Sequence, residues 1–174
     1  MSEPDRIVLA TESPDQTKAV GVALGLAVMH SATEQPLVIA LNGELGAGKT
    51  TFVAGFLQAF GVAGPVRSPT YTLIEPYQVT GRVVYHLDLY RLAASRDLEM
   101  LALRDLLDSR AVLLVEWASR GGANLPVADM WIQMSYSNVV ESASRKIELG
   151  GVSPAGKQLA ASVQISADKA RVSL

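Results

Sequence analysis

The sequence GELGAGKT, residues 43–50, decides the fold of this chain. It matches the pattern G-x-x-x-x-G-K-[ST], whose glycines let the backbone turn its N–H groups inward around a phosphate. Leu37–Leu41 before it is a continuous apolar run, typical of a strand buried on both faces. Thr50–Phe60 after it has the pattern of a helix that Gly61 would end. Strand, glycine loop and helix in this order predict a phosphate-binding loop, whereas a chance glycine-rich turn would need neither neighbour.

The loop contains the groups that bind a nucleoside triphosphate together with Mg²⁺. Gly43, Gly46 and Gly48 allow a tight backbone nest, and its N–H groups lie at a helix N-terminus whose dipole attracts anions. Lys49 is expected to reach the β- and γ-phosphates, and the hydroxyl of Thr50 to ligate Mg²⁺. The pattern therefore predicts both ligands.

Strands and helices are predicted in alternation along the rest of the chain. The predicted strands are Arg6–Ala10, Leu37–Leu41, Arg82–Asp88, Ala111–Glu116, Trp131–Ser137 and Arg145–Leu149. The predicted helices are Ser13–His30 with a capping box from Ser13 to Gln16, Thr50–Phe60, two short helices within Leu98–Leu107, and Ser153–Ala161. Val66–Glu75 is predicted as loop or edge strand, and a Ser/Asn-rich turn is expected between the last two strands.

This order predicts an α/β fold in one P-loop NTPase-type domain over residues 1–174. We expect a mixed, mostly parallel sheet covered on both faces and flanked by helices. The last two strands should extend it as an antiparallel C-terminal extension.

Composition excludes several classes of function. The 174 residues are 49% apolar and 18% charged, as in a compact globular protein, and the net charge of −2 argues against direct wrapping of nucleic acid. Without cysteine the chain has no disulfide, thiol nucleophile or Cys-based zinc site, and two histidines make a His-rich metal site unexpected. Met1–Asp5 lacks the layout of a signal peptide, and Ala19–Thr33 is too short to span a membrane. We expect a cytoplasmic protein with no membrane partner.

Two carboxylates stand where predicted strands end. Glu116 closes the run Ala111–Val115, and Asp88 follows the apolar strand Val83–Leu87. The carboxyl edge of an open α/β sheet is where ligands bind, so either group could hold Mg²⁺ or orient the attacking water. The alternatives are a surface carboxylate for Glu116, and a helix cap or an ion pair with Arg91 for Asp88. His86, with no second ligand or nucleophile in the pattern, is interpreted as a packed or surface residue.

Three further features concern the nucleotide. Ser68–Thr72 falls where a switch segment could sense the γ-phosphate, although a proline-containing turn explains it equally well. Trp117 is interpreted either as a core residue or as a ring over the nucleotide. Guanine specificity usually shows as an Asn-Lys-x-Asp run, and no asparagine of this chain is followed by lysine, so ATP is favoured over GTP.

Four blocks of sequence together carry a resemblance to a known family. They are LNGELGAGKTTFVAGFLQAFG (41–61), SPTYTLIEPY (68–77), VYHLDLYRL (84–92) and LLVEWA (113–118). In this order and spacing they closely resemble the TsaE family, the bacterial ATPases of tRNA threonylcarbamoyladenosine biosynthesis. The resemblance covers about residues 10–150, and its His-x-Asp-x-Tyr-Arg and Val-Glu-Trp blocks are more specific than the phosphate loop.

The resemblance implies a small mixed-sheet P-loop protein that binds ATP and Mg²⁺ and hydrolyses ATP slowly by itself. It implies action with the TsaD–TsaB complex, in which TsaD attaches threonylcarbamoyl to N6 of adenosine 37 in tRNAs that read codons beginning with A. ATP binding or hydrolysis by the TsaE-like member would reset or stimulate that complex. The protein would meet tRNA only through these partners.

Site residues also follow from the resemblance, position by position. Thr50 and Glu116 match the magnesium-binding pair, and the catalytic set would be Asp88, Glu116 and Lys49. Contacts to the nucleotide are implied for Gly43, Glu44, Leu45, Gly46, Ala47, Gly48, Lys49, Thr50, Thr51, Thr70, Trp117 and Arg145.

Two other functions fit a phosphate-binding loop. A small-molecule kinase commonly has an arginine-rich lid, whereas the basic residues here are scattered (Arg67, Arg91, Arg96, Arg104 and Arg120). A nucleotide-gated binding module would bind ATP with negligible turnover. Release of inorganic phosphate without an acceptor distinguishes an ATPase from a kinase.

Overall fold

A computed structural model describes residues 6–108, 110–137 and 144–172. The strands are β1 Ile7–Thr11, β2 Leu37–Gly43, β3 Ile74–Val79, β4 Arg82–Asp88, β5 Val112–Glu116, β6 Met130–Tyr136 and β7 Arg145–Gly151. The α-helices are α1 Pro14–His30, α2 Lys49–Ala59 and α3 Pro154–Val172. Short 3₁₀ helices cover Ser95–Leu101, Ala118–Arg120 and Gly122–Asn124.

One sheet of seven strands, in the order β1-β7-β6-β2-β5-β4-β3, forms the centre of the fold. The pairs β6–β2, β2–β5 and β5–β4 are parallel, whereas β7 runs antiparallel to β6 and β3 antiparallel to β4. The predicted α/β class is therefore confirmed, with its mixed, mostly parallel sheet and its antiparallel C-terminal extension. The turn expected between β6 and β7 falls at 138–143, outside the described residues.

β2 and β5 are the central strands because both are apolar on both faces. All five residues of β5 are buried, and Leu37–Leu41 pairs in register with Val112–Glu116. Such strands read as continuous apolar runs because each face meets its own hydrophobic cluster. This position aligns the ends of the two strands at one edge of the sheet.

All three α-helices pack on one face of the sheet. Phe52 and Phe56 of α2 lie in the same buried cluster as Leu24 of α1 and Leu159 of α3. Glycines let α1 and α2 approach closely: a Cβ added to Gly21 would lie 2.1 Å from the carbonyl oxygen of Phe52. Because α2 starts at the phosphate loop, this packing also fixes the loop.

The opposite face is covered by 3₁₀ helices and turns. Leu98 and Leu103 are buried there in one cluster with Leu87 and Leu113. The prediction of two short helices within Leu98–Leu107 was wrong in form, since the structure has one 3₁₀ helix, Ser95–Leu101, and then turns. Ala102 takes a left-handed conformation that stops the helix, and the leucines still reach the core.

Other boundaries differ from the sequence prediction. α3 continues to Val172 rather than ending near Ala161, and a bond of 2.7 Å between the Gln164 amide and Asp168 supports its polar second half. The edge strand β3 begins only at Ile74 and continues past Glu75 to Val79.

α1 starts as predicted, because the Ser13 side chain accepts from the backbone N–H of Gln16. The Gln16 side chain accepts from the N–H of Glu12, one residue before the cap, so the capping box is shifted. None of the described helices is long and apolar enough to span a membrane.

We predict that Gly21→Ala destabilises the protein. The added Cβ would meet backbone that cannot move away, and overpacking of this kind costs about 1–3 kcal/mol, more than the gain of about 1 kcal/mol in helix propensity. Urea denaturation measures the loss in free energy of unfolding. Ala19→Val, on the exposed side of the same helix, is the control, and unchanged stability of the Gly21 variant would contradict the close packing.

Candidate functional site

The phosphate loop lies at the carboxyl edge of the sheet, between the end of β2 and the start of α2. Gly43 must be glycine for lack of space, since a Cβ there would lie 2.2 Å from the carbonyl oxygen of Met134 on the neighbouring strand. Gly48 has a φ of 98°, a left-handed conformation that starts α2 without a side-chain cap. The N-terminus of α2 therefore faces the loop, as an anion-binding nest requires.

Lys49 is held inside the loop. Its Nζ donates to the carbonyl oxygens of Gly43, at 2.8 Å, and Glu44, at 2.7 Å. The same Nζ lies 3.9 Å from the ring centroid of Trp117, and the residue is only 5% exposed. Burial lowers the pKa of the Lys49 ammonium, and the charges of Glu116 and Asp88 oppose that shift. The loop thus contains a poorly solvated cation that a phosphate anion would stabilise.

Thr50 and Glu116, predicted as the metal pair, are in contact. The Thr50 hydroxyl donates to Oε1 of Glu116 at 3.0 Å and lies 3.1 Å from Oε2. His86 Nε2 lies 2.8 Å from the same Oε1. Glu116 is 2% exposed, which rules out the interpretation as a surface carboxylate.

Asp88 lies beside Glu116 because β4 and β5 pair these two residues in register. It is 3% exposed, and its Oδ2 accepts from the hydroxyls of Ser68 and of Thr70, the latter at 2.8 Å. Its Oδ1 accepts from the backbone N–H of Tyr90 at 2.9 Å. Asp88 thus anchors Ser68 and Thr70, which lie in the segment where the sequence allows a switch.

Arg91, considered as an ion-pair partner of Asp88, packs elsewhere. Its guanidinium lies 4.4 Å from the ring centroid of Tyr71 and donates to the Tyr71 hydroxyl at 3.2 Å. Tyr71 is 83% exposed, so this pair forms a surface beside the Ser68–Thr70 segment.

Trp117 lies at the mouth of the loop. Its backbone is left-handed, with a φ of 57°, and its ring centroid is 5.1 Å from that of Tyr90. The residue is partly buried against the cluster on the second face of the sheet, and Lys49 lies over its ring. Trp117 thus packs on the core and borders the loop, and its position over a nucleotide stays a prediction.

Arg145 and Tyr136 contact the outer side of the loop. Arg145 donates to the carbonyl oxygen of Gly46 at 3.3 Å, and the Tyr136 hydroxyl donates to that of Leu45 at 2.8 Å. The Arg145 guanidinium lies 4.3 Å from the Tyr136 ring centroid. Thr51 and Arg145 line one small cavity, so Thr51 lies on the same outer side of the loop as Arg145.

The structure therefore brings the predicted site residues together at or near this edge of the sheet, and it adds contacts that the sequence did not specify for three residues. These are Ser68, His86 and Tyr136. The sequence carried two signals for His86: side chains alternate along a strand, which predicts His86 on the same side as Asp88, and His86 begins the His-x-Asp-x-Tyr-Arg block. No sequence signal pointed to Tyr136, because its contact depends on the register of β6 beside the loop.

The donor set fits a hard cation beside phosphate. A hydroxyl and a carboxylate are oxygen ligands of the kind that Mg²⁺ prefers, and Mg²⁺ usually takes its remaining ligands from water and substrate phosphates. Across the described ranges no group of three or more Asp, Glu or His side chains could hold a metal alone. Thr50 and Glu116 fit a magnesium ion that arrives with a nucleotide.

Comparison with known proteins gives consistent matches. The family model described as "Threonylcarbamoyl adenosine biosynthesis protein TsaE" matches residues 11–147. A protein of Haemophilus influenzae named "tRNA threonylcarbamoyladenosine biosynthesis protein TsaE" is 42% identical over 127 residues, 73% of this chain and 78% of that protein. A Bacillus subtilis protein of the same name is 38% identical over 67% of this chain and 69% of its own length.

A solved structure shares the fold. The crystal structure of Bacillus subtilis YdiB matches with a TM-score of 0.74 and 25% sequence identity, covering 95% of this chain and 99% of that chain. The architecture described above is thus one that has been solved for a similar protein.

We predict that Asp88→Asn loosens the segment around Ser68 and Thr70 without unfolding the sheet. An amide has one acceptor oxygen, so its NH2 group must face either the two hydroxyls or the backbone N–H of Tyr90, and it lacks the charge that makes carboxylate bonds strong. Hydrogen exchange should become faster in residues 68–72. Asp97→Asn is the matched control, since Asp97 also accepts one backbone N–H but lies in the 3₁₀ helix. Equal protection of 68–72 in both variants would contradict the anchoring role.

Proposed function

Since this chain belongs to the TsaE family, which acts in tRNA threonylcarbamoyladenosine biosynthesis, we propose that it is a magnesium-dependent ATPase subunit. In this proposal ATP binds at residues 43–51, and its hydrolysis supports the complex that forms N6-threonylcarbamoyladenosine at position 37 of tRNAs reading codons that begin with A. The observation that carries the proposal is the contact of Thr50 with the buried Glu116, beside the lysine of a complete phosphate loop.

The roles of the residues follow from their contacts. Backbone N–H groups of the loop and the N-terminus of α2 would hold the phosphates, and Lys49 would turn from the carbonyls of Gly43 and Glu44 to the phosphate oxygens. Mg²⁺, held by Thr50 and Glu116, would supply charge neutralisation at the β- and γ-phosphates. Stabilising the charge that develops in the transition state is the main source of catalysis in phosphoryl transfer.

The two carboxylates have different partners, which supports different roles. Glu116 is bound to Thr50, the proposed metal ligand, and Asp88 to the hydroxyls of Ser68 and Thr70. We therefore assign Glu116 to the metal and Asp88 to the attacking water, with the Ser68–Thr70 segment placed to respond to the γ-phosphate.

TsaD and TsaB are the proposed partners, and tRNA would be reached through them. The net charge of −2 favours such an indirect role over direct binding of RNA. The single continuous sheet supports one P-loop ATPase domain over residues 1–174. A cytoplasmic location stays a prediction from the sequence.

We predict that Lys49→Ala abolishes most nucleotide binding and hydrolysis. Loss of a charged hydrogen-bond donor of about 1.5–3 kcal/mol corresponds to a fall in ATP affinity of about 10- to 150-fold, and removal of a transition-state donor lowers turnover about 100-fold or more. Calorimetry and phosphate release measure the two effects. Lys157→Ala, at an exposed position of α3, is the control and should match the unsubstituted protein. Undiminished affinity and turnover in Lys49→Ala would overturn the assigned site.

The same phosphate measurement distinguishes the alternatives. Release of inorganic phosphate without an acceptor is expected for an ATPase. Strict dependence on a small acceptor would identify a kinase, and tight ATP binding without release would identify a nucleotide-gated binding module.

We predict that the protein binds a TsaD–TsaB complex in an ATP-dependent manner. A pull-down with purified TsaD and TsaB, with and without ATP and Mg²⁺, should show retention that changes with nucleotide for the unsubstituted chain. For Lys49→Ala it should not change at an ATP concentration that saturates only the unsubstituted chain, because that variant binds the nucleotide more weakly. An absence of retention in every condition would contradict the proposed partners.

A further inference from the structure

His86 is a polar side chain in an apolar setting. It is fully buried on β4, on the same side of the strand as Val84 and Asp88. That face of the sheet carries the cluster that contains Val84, Leu114 and the inner side of α2. An imidazole in such a place costs free energy unless its hydrogen bonds compensate for lost water.

Among the described residues, only one of the two ring nitrogens of His86 has a hydrogen-bond partner. A carboxylate can only accept, so the Nε2 that lies 2.8 Å from Glu116 Oε1 carries the proton and donates. Nδ1 is buried without a hydrogen-bond partner among the described residues. The geometry therefore places the proton that makes this bond on Nε2, whereas Nδ1 gains no compensating hydrogen bond from the described residues. The bond to Glu116 is therefore the one hydrogen bond of this ring within the part of the chain that the structure describes.

That bond selects one orientation of the Glu116 carboxylate. The Thr50 hydroxyl lies almost equally far from the two oxygens, 3.0 Å and 3.1 Å, so it does not distinguish between them. His86 approaches Oε1 alone. Oε1 therefore accepts from His86, and the single Thr50 proton is shared between the two oxygens, so among the described residues Oε2 is the more available oxygen for a further ligand.

We propose that His86 is a positioning residue, which orients Glu116 through Nε2–H so that the carboxylate and Thr50 together receive the magnesium ion of the bound nucleotide. This inference rests on the proposed function, because it assigns a role at the same site. Hydrogen-bond partners of metal-binding carboxylates commonly change metal affinity about 10- to 100-fold when they are lost.

Two amide substitutions test it as a matched pair. The amide nitrogen of His86→Gln can take the place of Nε2 and donate to Glu116. The amide nitrogen of the shorter His86→Asn side chain lies near the position of Nδ1 and does not reach the Glu116 carboxylate. The affinity for Mn²⁺ is measured by electron paramagnetic resonance with a non-hydrolysable ATP analogue bound, independently of turnover. We expect the Asn variant to bind Mn²⁺ about 10- to 100-fold more weakly and the Gln variant within about threefold of the unsubstituted protein. Affinity for the analogue without metal should be unchanged in both.

The outcomes separate this inference from the proposed function. If the unsubstituted protein binds neither the analogue nor Mn²⁺ with it, the proposed function fails. If it binds both, and the Asn and Gln variants bind Mn²⁺ equally, the role of His86 is overturned. A ¹⁵N spectrum of the unsubstituted protein checks the tautomer independently of any folding defect in a variant. A proton on Nδ1 instead of Nε2 would overturn the inference as well.

Discussion

Parallel pairing of β5 with β2 on one side and β4 on the other is the constraint on which the site depends. Parallel neighbours end at the same edge of a sheet, so the loop after β2, Asp88 at the end of β4 and Glu116 at the end of β5 meet there. A shift of one residue in either register would turn a carboxylate to the opposite face. The buried apolar runs of β2 and β5 prevent that shift, because it would interchange two separate hydrophobic clusters.

This edge concentrates charge in a place with little water. Lys49, Asp88 and Glu116 are each no more than 5% exposed. The structure joins each charge to hydrogen-bond partners: Lys49 to carbonyl oxygens, Asp88 to two hydroxyls and a backbone N–H, and Glu116 to a hydroxyl and an imidazole. These bonds offset the desolvation of each group. For Asp88 and Glu116 these bonds also fix the orientation of the carboxylates before any ligand arrives.

Glycine serves two distinct purposes around the loop. In the loop it supplies the backbone conformation, as at Gly48, and the space beside Met134, as at Gly43. In the helices it allows close contact, since a Cβ on Gly55 of α2 would lie 2.0 Å from the carbonyl oxygen of Lys18 in α1. The two uses are linked, because the position of α2 against α1 sets where its N-terminus points. Stability of the helix pair and geometry of the phosphate site are therefore parts of one arrangement.

The sequence by itself determined the elements whose causes are local. The glycine pattern of 43–50 and the apolar runs of β2, β4 and β5 predicted the loop, the parallel sheet and the two strand-end carboxylates. Prediction from the sequence was wrong where packing between distant segments decides the local structure, as in the 3₁₀ form of Ser95–Leu101 and the length of α3. Only the tertiary structure joined His86 to Glu116, Ser68 to Asp88 and Tyr136 to the loop. A hydrogen bond depends on register and on distances between atoms far apart along the chain, which no local pattern specifies.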